Sequence, residues 1–367
     1  MKMENLNPKR SKKAILFVQH YRPGYEGVSN EIEQLVNYLE KKDWKVKIHD
    51  LHFQNPFRFK LNGKIISYHF AFYPFTFIGV YVYSLFFDIR HIFTSLCDTP
   101  YLPIIRKKPL LLTAAAPYNK EKLKKRVDNL KKTSLIILEN EIQKEQLKEI
   151  GFEKTTKIIY PGVDLVKFNH QTPKDGPFTI LFASSPKDPE MFIKRGVNLM
   201  LDVAKEIKKE ALFDFSWAAE GPYLDSYLKV KNLIVKKGLT NIKLTNNIEH
   251  NMNERFAKAH CTIIPYTELG DFVKLTPNSA LESLAAGKPV LCSSKSGAAK
   301  MVKDNEVGIV FEPDKDSLID AIKRLKKNYD HYQQNCRKVA ENKFSKKMFE
   351  EEYGQVYNDM MVKNNGY

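Results

Sequence analysis

FTILFASSPKDPEMFIKRGVNLMLDVAKEIKKEALFDFSWAAEG, residues 178–221, reads as strand, helix, strand. FTILFASS is a short apolar run, as expected of a parallel strand covered on both faces. GVNLMLDVAKEIKKE follows as a helix and FDFSWAAEG as the next strand. The alternation continues downstream through LDSYLKVKNLIVKKG (helix), NIKLTN (strand), NMNERFAKA (short helix) and CTIIPY (strand). PNSALESLAAG (helix), KPVLCSS and VGIVFEP (strands) and SLIDAIKRLKKN (helix) complete it. Upstream, AILFV (14–18) is a buried strand. A Gly-containing turn, GYEGVSN, leads from it into a helix with apolar Ile32, Leu35, Val36 and Leu39. WKVKIHDL, FDIRHIF, PLLLTAA and SLIIL read as further strands. Between the last two, NKEKLKKRVDNLKK (119–132) reads as one helix with Leu123, Val127 and Leu130 on its apolar face.

Strand–helix alternation in both halves predicts an α/β protein of two doubly wound, Rossmann-like domains. The polar stretch QTPKDGP places the boundary near Thr172. The expected parts are a basic flexible leader (1–13), an N-terminal domain (14–172), a C-terminal domain (173–345) and a last helix (346–367). That helix has no obvious place in the second sheet and is expected to return toward the N-terminal domain. A length of 367 residues with 43% apolar side chains supports two cores.

The formal charge is +16, from 59 basic and 43 acidic residues. This excess favours anionic partners: phosphates, nucleic acid or an acidic membrane surface. Cys97, Cys261, Cys292 and Cys336 lie far apart without metal-type spacing, which suits buried thiols in a reducing compartment. MKMENLNPKRSKK lacks the apolar stretch of a signal peptide. Residues 70–87 carry no charge, but Pro74 and Gly79 interrupt them. A buried or membrane-docking helix starting near Pro74 is expected there rather than a span. Ten basic residues fall within 106–132: Arg106, Lys107, Lys108, Lys120, Lys122, Lys124, Lys125, Arg126, Lys131 and Lys132. Beside an aromatic segment, such a face suits peripheral docking on an anionic membrane. No nucleic-acid-binding module is recognisable, so nucleic acid is not the expected partner. Asp314-Lys315-Asp316 has metal-type spacing, but Asp316 reads as a helix cap, and no metal is expected.

The strongest local signal is KLTPNSALESLAAGKPVL (274–291). Thr276 reads as the N-cap, Pro277 as the first helical residue and Gly287 as the stop. The free N–H groups and positive dipole end of such a helix form a phosphate site. Asn278 and Ser279 add hydrogen-bonding side chains, Lys274 precedes the cap, and Glu282 stands about one and a half turns in.

Together with ILFVQHYRPGYEGVSNEIEQLVNYL, IIYPGVDLVKF, IKRGVNLML and AEGPYLDSY, this stretch resembles the retaining glycosyltransferases of the GT-B fold, family 4-like, over nearly the whole chain. The resemblance implies two domains facing across a cleft, the first for acceptor and the second for a nucleotide-diphosphate sugar. It implies a metal-independent hexosyltransferase-type enzyme with no cofactor beyond its donor substrate. Glu282 would bind the donor ribose. Gly27, Lys194, Arg195, Lys274, Thr276, Pro277, Asn278 and Ser279 would hold the diphosphate. The acceptor would be a glycan or lipid-linked glycan in polysaccharide or glycoconjugate synthesis, and the location cytoplasmic, peripheral at the inner membrane face. Three positions depart from the family pattern. Lys274 stands where a Glu is frequent, Ala114–Ala116 where a His is common, and Glu26–Gly27 where two glycines are usual. No general base is therefore assigned. The alternatives are a catalytically degenerate GT-B protein binding anions, nucleic acid or membranes, and a nucleotide-sugar epimerase.

Overall fold

A computed structural model describes residues 11–18, 21, 27–51, 60–62, 65–67, 73–96, 101–105, 107–115, 120–169, 176–186, 189–217, 223–246, 252–268 and 276–365. The chain forms two compact units. One comprises Met1–Ile159 with Glu350–Tyr367, the other Tyr160–Phe349. In chain order the first contains β1 (Lys13–Val18), α1 (Gly27–Lys41), β2 (Lys45–Asp50), β3 (Lys60–Asn62), β4 (Ile65–Ser67) and α2 (Tyr73–Ser84). β5 (Ile89–Thr94), β6 (Leu110–Ala114), α3 (Lys120–Lys124), α4 (Val127–Leu130), β7 (Leu135–Leu138), α5 (Glu141–Glu149) and β8 (Thr156–Ile158) follow. The second unit contains β9 (Thr179–Phe182), α6 (Pro189–Lys194), α7 (Val197–Glu206), β10 (Leu212–Trp217), α8 (Tyr223–Lys236), β11 (Ile242–Asn246), α9 (Met252–Lys258) and β12 (Cys261–Ile264). It continues through α10 (Asn278–Ala285), β13 (Val290–Ser293), α11 (Ala299–Asp304), β14 (Gly308–Phe311), α12 (Lys315–Lys327), α13 (Tyr329–Val339) and a π-helical turn (Ala340–Phe344). A final helix, α14 (Lys346–Asn365), begins in the second unit and runs from Glu350 onward in the first.

Among the described residues the first unit has one eight-stranded sheet, ordered β3-β4-β2-β1-β5-β6-β7-β8. Only the β3–β4 pair is antiparallel. The second has a six-stranded parallel sheet, β11-β10-β9-β12-β13-β14. Every residue of β5, β6, β7, β9, β12 and β13 is buried, which explains why most of these strands read as apolar runs, while β5 also buries Arg90 and His91. The apolar stripe of α1 is buried as its spacing requires. Both sheets are doubly wound, as the sequence pattern predicts.

Three local expectations are corrected. The basic stretch 119–132 is not one helix. The Arg126 N–H bonds Leu123 O, three residues back, at 2.9 Å, and this tightening separates α3 from α4. Asp314, not Asp316, caps α12, its carboxylate accepting from the Ser317 N–H at 2.9 Å. The helix α13 follows α12 where no element was expected, its Cys336 buried. α2 spans 12 residues of the uncharged stretch, and no helix among the described residues is long and apolar enough to cross a membrane.

α14 joins the first unit through a buried polar core. Phe349, Tyr353, Val356, Tyr357 and Met360 recur at helical spacing and are all buried. His91 of β5 lies between the Tyr357 hydroxyl (Nδ1, 2.9 Å) and Thr113 Oγ1 of β6 (Nε2, 2.7 Å). Thr113 Oγ1 in turn lies 3.0 Å from the Tyr353 hydroxyl. Burial pushes the His91 pKa down to about 3, so the ring is neutral and offers one donor and one acceptor. Gly354 admits the phenol of Tyr38 on α1, since a Cβ there would lie 2.3 Å from its oxygen.

In the second unit, Lys288 is fully buried just before β13, with Nζ 3.4 Å from Ala257 O. Burial pushes its pKa down to about 8, although nearby Cys261 acts in the opposite sense.

Two outcomes are expected. Tyr357→Phe strands the His91 Nδ1 position without a partner and should cost about 1–3 kcal/mol in urea unfolding. Lys288 binds its proton more tightly unfolded than folded. Stability should therefore rise from about pH 8, where the folded chain gives up that proton while the unfolded chain keeps it, and level off in the ordinary lysine range. Lys288→Met should flatten this slope and raise neutral-pH stability by roughly 1–3 kcal/mol. A variant with the wild-type pH slope would show that the lysine ionises freely in the fold.

Candidate functional site

In open parallel sheets, ligands bind beyond the carboxyl ends of the strands. In the second unit that edge is built from the residues after β9, the turn between α6 and α7, the residues after β12, and the start of α10. Gly196 sets the turn. Its φ of 70° is left-handed, and a Cβ on it would lie 1.8 Å from Pro265 O. Only glycine lets the turn rest against the end of β12. Thr267 stitches the two segments: its N–H donates to Lys194 O (2.8 Å) and its hydroxyl to Ile193 O (3.1 Å).

This placement directs Arg195 to the end of β9. Its Nη1 donates to Ser184 Oγ (2.7 Å) and to Ser185 O (2.6 Å), and Ser184 Oγ lies 3.4 Å from the Tyr266 hydroxyl. Among the described residues, the Nε of Arg195 and the hydroxyl of Ser185 are buried without a partner. A guanidinium fixed in orientation, with one donor left unpaired, is suited to an anion. Lys194 is engaged differently. Its ammonium is 2.5 Å from Glu190 and 3.7 Å from Glu268.

α10 is held through its C-terminal half. Ser283 Oγ bonds Thr262 Oγ1 of β12 (2.8 Å) and Lys288 O (2.9 Å). Arg337 of α13 donates to Ala285 O (2.6 Å) at the helix C-terminus, and to Phe168 O (2.8 Å). A cation is favourable there, against the negative dipole end. The helix start is corrected by one residue. Pro277 is the N-cap, with ψ of 130°, and Asn278 is the first helical residue. Thr276 is buried ahead of the cap. Asn278, Ser279 and Glu282 are half-buried, and their spacing of three and four residues sets them on one helix face.

Arg195, Lys194, Thr276, Pro277, Asn278, Ser279 and Glu282 all belong to the second unit. Gly27 stands in the first, where it opens α1. Lys274, Glu26 and Ala116 lie outside the described residues. Ala114 ends β6, and its carbonyl accepts from Gln143 Nε2 (2.8 Å). Sequence reasoning missed Ser184, Tyr266 and Arg337. The Ser-Ser pair closing FTILFASS was the available signal for the first, while nothing local marked Arg337. Among the described residues, no group of His, Cys, Asp or Glu is placed to share a metal ion.

The two doubly wound units have the GT-B fold. Residues 177–328, within the second unit, match the family model described as Glycosyl transferases group 1. Sucrose-phosphate synthase from Thermosynechococcus elongatus is similar over 96% of this chain and 100% of its own, with a TM-score of 0.79 and 14% identity. Anabaena HepE, in complex with UDP and glucose, is similar over 94% and 99%, with a TM-score of 0.73 and 14% identity. WaaG, a glycosyltransferase involved in lipopolysaccharide biosynthesis, is similar over 92% and 98%, with a TM-score of 0.66 and 14% identity. At these identities the likeness is one of fold. Comparison with curated proteins finds no sequence match.

Gly196→Ala should lose about 1–3 kcal/mol or more, because both the left-handed backbone and the Pro265 contact oppose a Cβ. A urea midpoint equal to wild type would show that the turn can move away from β12 at no cost.

Proposed function

We propose that the protein is a retaining glycosyltransferase. It moves a sugar from a nucleotide-diphosphate donor to a glycan or lipid-linked acceptor at an anionic membrane surface, in cell-surface polysaccharide or glycoconjugate synthesis. The observation that carries the reading is the fixed guanidinium of Arg195 in a unit matching Glycosyl transferases group 1. The reading gives the donor to the second unit and the acceptor to the first.

As the bond from sugar to phosphate breaks, negative charge accumulates on the leaving diphosphate. Arg195 and the positive dipole end of α10 are in place before reaction, so they stabilise that charge without reorganising. Thr276, Pro277, Asn278 and Ser279 shape this end. Gly27 and Lys274 are assigned to the diphosphate on the family resemblance. Lys194 reaches it only by exchanging Glu190 or Glu268 for phosphate. Glu282 accepts from the ribose hydroxyls. With alanines at 114–116, the leaving phosphate itself serves as base toward the acceptor hydroxyl, on the face the donor leaves. This gives retention without a protein base or a metal.

UDP-glucose is the first donor to test, because HepE is described with UDP and glucose. A nucleotide sugar should raise the melting temperature and, with acceptor, release nucleoside diphosphate. Arg195→Ala should weaken UDP binding by roughly 1.5–3 kcal/mol and leave uridine binding nearly unchanged. Glu282→Ala should weaken both by a similar amount. Equal losses for uridine and UDP in Arg195→Ala would point to a folding defect. No thermal shift with any nucleotide sugar would refute the donor reading.

A further inference from the structure

In the first unit, residues at the amino ends of four adjacent strands meet on one edge. They are Phe86 and Phe87 before β5, Lys107 and Lys108 before β6, Lys131–Ser134 before β7, and Lys154 before β8. This edge is opposite the carboxyl ends where such sheets take their ligands. A pocket of about 540 Å³ opens here. Leu102, Pro103 and Ile105 supply its apolar wall and Lys108, Lys131, Lys132 and Lys154 its charge. Among the described residues no carboxylate lines it. Lys154 donates to the carbonyls of Lys131 and Thr133, so its position is fixed. Asp128 pairs with Lys131 from the exposed side (2.9 Å). Burial, and then the charge of Lys154, push the Lys108 pKa below the usual lysine range. Four cations thus converge where the lining itself supplies no counter-charge.

An apolar surface adjoins the pocket. Ile78, Tyr81 and Val82 share one face of α2, and Phe86 follows it. Ile78 is 56% and Phe86 66% exposed. The other face of α2 lies against the pocket wall, with Phe77 and Tyr101 rings 5.1 Å apart. A buried arginine fixes the junction. Arg90 donates to the carbonyls of Ser84 (2.6 Å), Asp88 (3.0 Å) and Lys108 (3.2 Å), and also to that of Phe87. Lys107 Nζ donates to Leu85 O (2.8 Å). The turn bearing Phe86 is thereby tied to the loop bearing Lys108. Arg90 commits its donors to this task and is not open to a ligand.

We propose that this edge docks on an anionic lipid bilayer. Phe86 and the outer face of α2 enter the apolar boundary, and the lysine pocket takes a lipid phosphate. The proposal rests on the reading of a membrane-linked acceptor and names the surface that would meet the membrane. An inorganic anion would satisfy the lysines but leave the adjoining apolar face in water. A bilayer satisfies both.

The test uses the purified full-length protein with vesicles of phosphatidylglycerol or phosphatidylcholine, at low and high salt. Wild type should sediment with phosphatidylglycerol at low salt only. The combined Lys108→Ser, Lys131→Ser and Lys132→Ser variant should lose roughly tenfold or more in partitioning. Phe86→Ser, an exposed change that the fold should accept, should also lose binding. Wild-type sedimentation by the lysine variant would overturn the proposal, as would failure of the wild type to bind. So would intact vesicle binding in Phe86→Ser together with full competition by inorganic phosphate, which would mark a site for soluble anions. UDP-induced thermal shift in the same samples reads the donor site separately. Vesicle binding lost with that shift intact is the expected signature of the variants. Absence of the shift in a wild type that binds vesicles would sink the donor reading alone.

Discussion

Everything at the candidate donor edge depends on one close approach, that of the Gly196 turn to Pro265 O. A side chain at 196 would push α6 and α7 away from the end of β12. Thr267 would then lose its two bonds to the α6 backbone, and Arg195 would lose its register with Ser184 and Ser185. The guanidinium is not placed by its own chain flexibility. It is placed by a backbone that only glycine allows, and then oriented by one hydroxyl and one carbonyl. Preorganisation of this kind matters because a charge that must turn during reaction gives back part of what it stabilises.

Much of this was legible in the sequence, and what was not had definite reasons. Parallel strands buried on both faces write themselves as apolar runs, so β1, β9, β12 and β13 could be read directly. The stripe of α1 and the α10 signature were equally plain. The error at Thr276 came from cap chemistry, since Thr is a strong N-cap and Pro a strong first residue. The chain instead buries Thr276 and begins the helix one residue later. The break between α3 and α4 left no mark because Leu123 and Leu130, seven residues apart, are buried whether or not the helix is continuous. Arg337 was invisible for another reason. Its carbonyl partners come from residues 165, 168 and 285, and no local pattern encodes a contact so distant in sequence.

The final helix shows how pattern and partner can be read separately. The spacing of Phe349, Tyr353, Val356, Tyr357 and Met360 announces a buried stripe, but two of the five carry hydroxyls. Those hydroxyls make sense only against His91 and Thr113, on two neighbouring strands. A wholly apolar stripe could slide along a wholly apolar sheet. Hydroxyls that must meet one imidazole and one threonine fix the helix in a single register, because any slip strands buried polar atoms.

Charge is also deployed differently at the candidate donor edge of the second sheet and at the amino edge of the first. At the donor edge, Lys194 already sits between Glu190 and Glu268. Among the described residues there, the cation left with a buried, unpartnered donor is Arg195. The residue type fits the task. A planar guanidinium can bond Ser184 and Ser185 through one nitrogen and still direct another toward an acceptor, whereas an ammonium would swivel. At the amino edge of the first sheet the roles reverse. There the arginine, Arg90, is buried and consumed in holding backbone carbonyls, and lysines present the charge. A compact ammonium is well matched to head groups that approach from varied directions, and a fixed fork to one phosphate in one place. The same two side chains are thus divided between the edges according to how sharply the partner must be positioned.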